Sequence, residues 1–174
     1  NNGRYLAEFM ESVIASTLWP RELIVVDDGS ADNSLQILEG YRWLPFLKIV
    51  ALKENLGLPL ALNSGLAAAS CRYIMRADPD DLLLPERIEK QYNCMETHPD
   101  ISVLGCNVVY FHYQSGRDIN ISNFPVKHER IVNTYRRGTN GIQHPTALIR
   151  RTAIQGHQYK NIRVAEDYEL FATL

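Results

Sequence analysis

The pattern of hydrophobic and polar positions predicts alternating helices and strands over the first hundred residues. Hydrophobic side chains recur every three or four positions between residues 5 and 18, which is typical of an amphipathic helix that ends before Pro20. Strands are predicted over 23–26, 47–52 and 73–77, and helices over 34–41, 60–69 and from Pro85 to about residue 98. Repeated helix and strand units of this kind favour a parallel sheet in an α/β fold.

The second half of the chain has a mixed pattern. Strands are predicted over 101–106, 108–113 and 146–150, and helices over 131–135 and 168–174, with a loop through Gly116 and Pro125. Neither a linker nor an internal repeat interrupts the 174 residues. We therefore expect a single domain over 1–174, in which residues 1–100 and residues 101–174 form two lobes.

Two of the predicted strands in the first half end in carboxylates. Asp27 and Asp28 follow the first strand, and Asp78, Asp80 and Asp81 follow the third. Side chains at i and i+2 leave the same face of extended backbone, so Asp78 and Asp80 are expected to converge on one point. Because ligands bind outside the carboxyl ends of parallel strands, both clusters are expected to face one crevice if both strands belong to one sheet. A nucleotide fits such a crevice.

A cluster of carboxylates favours a cation. Mg²⁺ and Mn²⁺ prefer one or two carboxylates together with phosphate oxygens. The expected convergence of Asp78 and Asp80 fits such a divalent cation, Mn²⁺ or Mg²⁺. The alternative is a solvated acidic turn in which Asp81 caps the next helix, and the short Asp-x-Asp spacing does not decide between the two.

Composition narrows the classes of partner and compartment. A net charge of −2, without a basic run longer than two residues, argues against nucleic acid. The three cysteines lack metal or redox spacing and favour free thiols in a reducing compartment, which points to the cytoplasm. Since no apolar run approaches the roughly 18 residues that cross a bilayer, any membrane association is expected to be peripheral, at the inner face of the cell membrane, or to lie outside this chain.

Four ordered blocks along the chain carry a family resemblance. They are residues 25–32, residues 55–58 with 61–65, residues 76–81, and residues 143–146 with 165–170. With these blocks the chain resembles the family 2 glycosyltransferases, enzymes of the GT-A fold that use nucleotide sugars. The form of the run over 76–81 is most similar to the branch that builds bacterial lipopolysaccharide and other surface polysaccharides.

The resemblance implies a Rossmann-like nucleotide-binding sheet with a mixed acceptor-side half. Carboxylates accept hydrogen bonds from nucleobase imide and ribose hydroxyl groups, which are donors. The residues implied to bind the nucleotide sugar are Asp27, Asp28, Asn55, Gly57, Asn63 and Asp78. The alternative for Asp27 and Asp28 is the formation of a turn with Gly29. The alternative for the glycines of the later block is a role in turn geometry or in close helix packing.

The last block places an acidic pair at the start of the final predicted helix. The resemblance implies that Asp167 is the general base, with Glu166 and His144 on the acceptor side. An acidic first helical turn, stabilised by the helix macrodipole, is the alternative for the pair. A loop histidine that only makes hydrogen bonds is the alternative for His144.

Two features depart from the family pattern. Many relatives begin with an apolar strand that ends beneath the nucleobase, whereas this sequence opens at Asn1, so that strand is expected to be missing from it. Leu62 stands where many members place an arginine near the phosphates.

Taken together, the residues and the resemblance predict a metal-dependent inverting glycosyltransferase. It would move a sugar from a UDP-sugar donor to a hydroxyl of a saccharide or lipid-linked acceptor in cell-surface polysaccharide synthesis. One base and no assigned nucleophile indicate a single displacement with inversion. A nucleotide-sugar-binding module without turnover and a nucleotidyltransferase are the alternatives.

Overall fold

The computed structural model describes residues 1–162 and 164–174, which form an α/β fold. In the first half, helices alternate with strands: α1 Gly3–Ile14, β1 Leu23–Asp27, α2 Ser34–Glu39, β2 Leu47–Ala51, α3 Leu58–Ala68, β3 Tyr73–Met75 and α4 Arg87–Thr97. The second half contains β4 Val103–Leu104, β5 Val109–His112, β6 Arg117–Ile121, α5 His128–Arg136, a 3₁₀ turn His144–Thr146, β7 Leu148–Arg150, α6 Arg151–Ile154 and α7 Glu166–Thr173.

The strands of the described residues form three separate sheets. β1 pairs with β2 in parallel, from Leu23 opposite Leu47 to Asp27 opposite Ala51. β7 lies between β3 and β4 and is antiparallel to both, while β5 and β6 form an antiparallel hairpin. The prediction of one parallel sheet is therefore wrong, because β3 takes its partner from the second half of the chain.

Several predicted boundaries also differ from the structure. α1 ends at Ile14 rather than at residue 18, because the Thr17 backbone N–H donates to the Pro85 carbonyl and draws the chain away. The loop predicted near Gly116 is a hairpin turn, in which Gly116 has a φ of 64° and leads into β6. The alternation of the apolar residues Ile119 and Ile121 with polar neighbours is the sequence pattern that indicates β6.

Two hydrophobic cores hold the fold. The first lies under α1 and α2 and is built from Leu6, Phe9, Met10, Val13, Leu38, Leu44, Phe46 and Leu83. The second lies under β7 and α7 and is built from Ile142, Ala147, Ile149, Ile154, Tyr159, Leu170 and Phe171. Since Leu170 and Phe171 are buried in the second core, they fix the start of α7, where the acidic pair lies.

The described residues contain no helix that is long and apolar enough to cross a membrane. Cys71, Cys94 and Cys106 are free and partly buried.

A cavity of about 1220 Å³ separates β1 from β3. Its lining includes Ile24, Val26, Ile74 and Met75, which are only half-buried although they are apolar strand residues. Among the described strands, neither β1 nor β3 has a partner on the side of this cavity. Neighbouring strands lie about 4.8 Å apart, so a further strand paired with β1 or with β3 on this side would lie in the cavity.

We predict that a chain extended upstream of Asn1 by an apolar strand melts at a higher temperature and binds nucleotide more tightly. The Asn1 side chain accepts hydrogen bonds from the Ala31 and Asp32 backbone N–H groups, so Asn1 lies just beyond the end of β1, where a parallel strand would arrive. Each kcal/mol gained would raise the melting temperature by about 2–4 °C in a domain of this size. Thermal melts of both chains test this prediction.

A glycine- and serine-rich extension of equal length is the control for that experiment. Equal melting temperatures for the strand extension and this control would contradict the prediction.

Candidate active site

Asp27 ends β1 and is buried at the rim of the cavity. Its carboxylate accepts a hydrogen bond of 3.2 Å from the Ser30 backbone N–H, which shapes the turn after the strand. Gly29 occupies this turn with a φ of 65°, and a Cβ there would lie 2.8 Å from the Asn55 backbone nitrogen. Both the conformation and the close approach require glycine.

Asp28 fastens this turn to the loop before α3. Its two carboxylate oxygens accept the backbone N–H groups of Leu56 and Gly57, at 2.7 and 2.9 Å. The Asn55 side-chain amide donates back to the Asp28 carbonyl at 3.1 Å. The structure thus brings Asp27, Asp28, Asn55 and Gly57 together. Both oxygens of the Asp28 carboxylate accept hydrogen bonds that hold the loop before α3.

The acidic run after β3 is a turn rather than extended backbone. β3 ends at Met75, and the Asp81 backbone N–H donates to the Asp78 carbonyl at 3.2 Å. Pro79 occupies the second position of this turn, which its fixed φ favours. The expectation that Asp78 and Asp80 lie in extended backbone is therefore wrong. Both precede Asp81 within a tight turn, in which Asp78 is half-buried and Asp80 is exposed.

Arg76 adds a cation that the sequence argument did not single out. Its guanidinium pairs with the Asp78 carboxylate and also donates to the Ala77 carbonyl. The side chain is 12% exposed, and its buried Nε has no hydrogen-bond partner among the described residues. An arginine two positions before the first carboxylate of an acidic run is the sequence feature that indicates this ion pair, since a buried guanidinium needs hydrogen-bond acceptors.

The acidic turn fits a cation that also binds phosphate. Partial burial and the neighbouring carboxylates of Asp78 and Asp80 raise the pKa of Asp81, so negative charge is crowded here. No group of three or more His, Cys, Asp or Glu side chains in the described part of the chain is arranged to hold a metal by itself. Two carboxylates with open positions match Mg²⁺ or Mn²⁺, which take their other oxygens from water and phosphate.

His144 and Tyr159 form a buried pair at the centre of the site. His144 Nε2 and the Tyr159 hydroxyl share a hydrogen bond of 2.8 Å. Burial, reinforced by the positive charge of Arg76, lowers the pKa of His144 to about 4, while the carboxylates of Asp167 and Asp78 act in the opposite direction. His144 is therefore neutral at neutral pH, and charged groups from both halves of the chain act on it.

Asn63 holds the loop that carries Tyr159. Its amide nitrogen donates to the Tyr159 carbonyl at 2.8 Å, and its amide oxygen accepts the Tyr159 N–H at 2.9 Å. The Asn63 side chain was predicted to bind the nucleotide sugar. Both its amide nitrogen and its amide oxygen are instead hydrogen-bonded to the backbone of a residue 96 positions away. Tyr159 itself gave no signal in the sequence, because its role depends on this distant partner.

Asp167 lies in the first turn of α7 and is partly buried. Ala165, just before the helix, has a φ of 65°, which is an uncommon conformation for a residue other than glycine. The Asn140 side-chain amide donates to Asp167 Oδ2 at 2.9 Å. Phe171, one turn further along α7, packs against the His144 ring with centroids 5.8 Å apart, so α7 carries the acidic pair to the side of the buried pair.

The chain belongs to glycosyl transferase family 2, because the sequence model of that family matches residues 1–157. The fold and the order of the site residues along the chain agree with this membership.

Two curated relatives show the range of similarity. The amylovoran biosynthesis glycosyltransferase AmsE of Erwinia amylovora is 34% identical over 169 residues, covering 95% of this chain and 62% of AmsE. The UDP-Gal:α-D-GlcNAc-diphosphoundecaprenol β-1,3-galactosyltransferase of Escherichia coli is 27% identical over 169 residues, covering 96% of this chain and 61% of that protein. The chain thus spans 61–62% of the length of these two relatives.

The fold matches a solved structure. The crystal structure of S. aureus TarS 1-349 in complex with UDP-GlcNAc has a TM-score of 0.78 to this chain at 24% sequence identity, covering 99% of this chain and 50% of that chain. This likeness confirms the predicted GT-A fold.

The lowered pKa of His144 makes stability depend on pH. In the unfolded chain His144 titrates near 6.5, whereas in the folded chain it titrates near 4, so between these values the unfolded state binds more protons. We predict that this residue makes the free energy of unfolding fall as the pH is lowered through that window, by at most about 1.4 kcal/mol per pH unit. Urea denaturation at several pH values measures the effect.

His144→Gln is the comparison variant, because glutamine can keep a hydrogen bond to Tyr159 without titrating. The variant should show a weaker pH dependence between 6.5 and 4 than the parent. Parallel curves for the two proteins would exclude His144 as the titrating group.

Proposed function

We propose that this chain is the catalytic part of an inverting glycosyltransferase that moves a sugar from a UDP-sugar to a hydroxyl of an acceptor. One observation carries the proposal. Asp78 and Tyr159 line the same cavity, and Tyr159 is hydrogen-bonded to His144. The His144 ring packs in turn against Phe171 of α7, the helix that begins with the acidic pair. A donor site and an acceptor site would therefore meet at that pair.

The donor side is proposed to be the turn after β1 and the acidic turn after β3. Asp27 and Asn55 face the cavity and have polar atoms that suit a nucleobase and a ribose. Arg76 brings a mostly buried positive charge beside the acidic turn, where it offsets the charge of Asp78. Asp78 and Asp80 would hold Mn²⁺ or Mg²⁺, which when bound supplies a Lewis acid for the departing UDP.

The acceptor side is proposed to be the start of α7. Asp167 would take the proton of the acceptor hydroxyl while that oxygen bonds to the anomeric carbon of the donor sugar. The bond from that carbon to the diphosphate oxygen breaks in the same step, and its electron pair leaves with UDP. A single displacement of this kind inverts the configuration at the anomeric carbon.

Glu166, the residue before Asp167, lies in the same first turn of α7 and would orient the segment around the proposed base.

The acceptor class is proposed from the relatives. The name of one relative includes UDP-Gal and a diphosphoundecaprenol-linked sugar, and the solved structure that matches the fold is a complex with UDP-GlcNAc. We propose a UDP-sugar donor and a saccharide or lipid-linked acceptor in surface polysaccharide synthesis. Contact with the membrane would then be peripheral, at the cytoplasmic face and through a lipid-linked acceptor.

The metal proposal predicts that Mn²⁺ tightens the binding of UDP, because a cation relieves the repulsion between the carboxylates and the diphosphate. We expect Mn²⁺ to increase the affinity for UDP by more than about tenfold, because removing even an outer partner of a metal ligand typically costs at least that much. Asp80→Ala should lose most of this increase. Calorimetric titration with UDP, in Mn²⁺ and in chelator, measures both effects.

Asp118→Ala is the matched control for that titration, because Asp118 is an exposed aspartate on β6. It should keep the full gain from Mn²⁺. Equal UDP affinity of the parent chain in Mn²⁺ and in chelator would refute the metal proposal.

The general-base proposal predicts that Asp167→Asn keeps the shape of the side chain and loses its basicity. Sugar transfer should then fall by about 10²-fold or more, the scale of general-base contributions, while UDP binding stays close to that of the parent. The measurement is the transfer rate at saturating UDP-sugar and acceptor, beside the affinity for UDP.

Glu166→Gln serves as the neighbouring control and should reduce transfer less than Asp167→Asn does. A parent-like transfer rate for Asp167→Asn would show that the acidic pair is only a helix start. Nucleotide binding with no transfer by the parent chain would favour a binding module instead.

A further inference from the structure

Asn140 lies between α5 and α7 and has a direct contact with the proposed base. Its side-chain amide donates to Oδ2 of Asp167 at 2.9 Å. Asn140 was not among the site residues expected from the sequence, because it lies in a polar turn 27 positions before Asp167. The hydrogen bond occupies one carboxylate oxygen of Asp167 and leaves Oδ1 for another partner.

The segment that carries Asn140 is fixed on α5. The Thr139 backbone N–H donates to the Thr134 carbonyl at 3.0 Å, and the Gly138 N–H donates to the Tyr135 carbonyl at 2.9 Å. Gly141 is buried so closely against α5 that a Cβ there would lie 2.9 Å from the Ile131 carbonyl oxygen. Asn140 is therefore held by rigid neighbours on both sides, although its own side chain is exposed.

The partner helix is fixed against the same element. The Tyr168 hydroxyl, one residue after Asp167, donates to the Tyr135 carbonyl on α5 at 2.6 Å, and the two tyrosine rings pack with centroids 5.4 Å apart. Ala165 sets the entry into α7 in a conformation that is strained for alanine. Both partners of the Asn140–Asp167 hydrogen bond thus belong to one packed unit of α5 and α7.

Three groups on which the charge of Asp167 acts, Tyr135, His144 and Tyr159, are neutral at neutral pH. Burial raises the pKa of Tyr135 to about 12 and raises that of Tyr159, and burial lowers the pKa of His144 to about 4. A cationic partner would lower the basicity of Asp167, whereas an amide gives direction with a smaller effect on charge. The amide therefore suits a carboxylate that must remain a base.

We propose that Asn140 is a positioning residue for Asp167: its amide holds Oδ2 and thereby aims Oδ1 at the acceptor hydroxyl. The inference rests on the proposed role of Asp167 and goes beyond it, because it names the group that orients the base. Misplacement of a reacting group by about 1 Å costs roughly 10²-fold in rate, so loss of this single hydrogen bond should be visible in catalysis while the fold persists.

The test compares Asn140→Ala, Asn140→Asp and the control Asn133→Ala in the transfer reaction. Asn133 is an exposed asparagine on α5. Asn140→Ala should lower kcat by about tenfold to 10²-fold, with KM for the UDP-sugar, the melting temperature and the affinity for UDP unchanged. Asn140→Asp places a second carboxylate beside Asp167, so the acidic limb of the pH–rate profile should move to higher pH.

A double variant isolates the path of the effect. If Asn140 acts through Asp167, Asn140→Ala should cost nothing further in an Asp167→Asn background, since the two residues then act as one unit. Parent-like kcat for Asn140→Ala and an unmoved pH profile for Asn140→Asp, with Asp167→Asn inactive, would overturn this inference alone. Parent-like transfer by Asp167→Asn would overturn the proposed function and this inference with it.

Discussion

The hydrogen bond between His144 and Tyr159 is the contact on which the rest of the site depends. The Tyr159 backbone is held by Asn63 on α3, in the first half of the chain. The His144 ring lies 5.8 Å from the Phe171 ring on α7, and the segment after His144 becomes β7, which pairs with β3. One buried pair therefore fixes the positions of α3, β3 and α7 relative to one another, and these elements carry the groups proposed for donor and acceptor.

This arrangement also sets the electrostatics of the site. Burial keeps His144 neutral, so it does not compensate the surrounding carboxylates. Arg76 is already paired with Asp78, and a nucleoside diphosphate would add further negative charge. A divalent cation would offset this negative charge, so the metal proposal rests on the charges of the chain as much as on the acidic turn itself.

The sequence predicted the order of the main elements through its hydrophobic pattern, and the family resemblance implied one site for Asp27, Asp28, Asn55 and Gly57, which the structure brings together. It did not predict that Asp28 and Asn63 bond to backbone groups, since those partners lie 28 to 96 residues away along the chain. The same reason explains the antiparallel β7 beside β3. Pro79 favours a turn, whereas the expected convergence of Asp78 and Asp80 assumed extended backbone. Long-range pairing, not local propensity, decided the differences at Asp28, Asn63 and β7.

A crystal structure of the chain with UDP and Mn²⁺, with anomalous scattering recorded for manganese, tests the central claim most directly. The account predicts one manganese peak between the diphosphate and the carboxylates of Asp78 and Asp80. It also predicts that the Asp167 carboxylate and the His144–Tyr159 pair line the space next to the diphosphate. Bound UDP without manganese at the acidic turn, or an Asp167 carboxylate remote from the diphosphate, would contradict the claim that donor and acceptor sites meet at the buried pair.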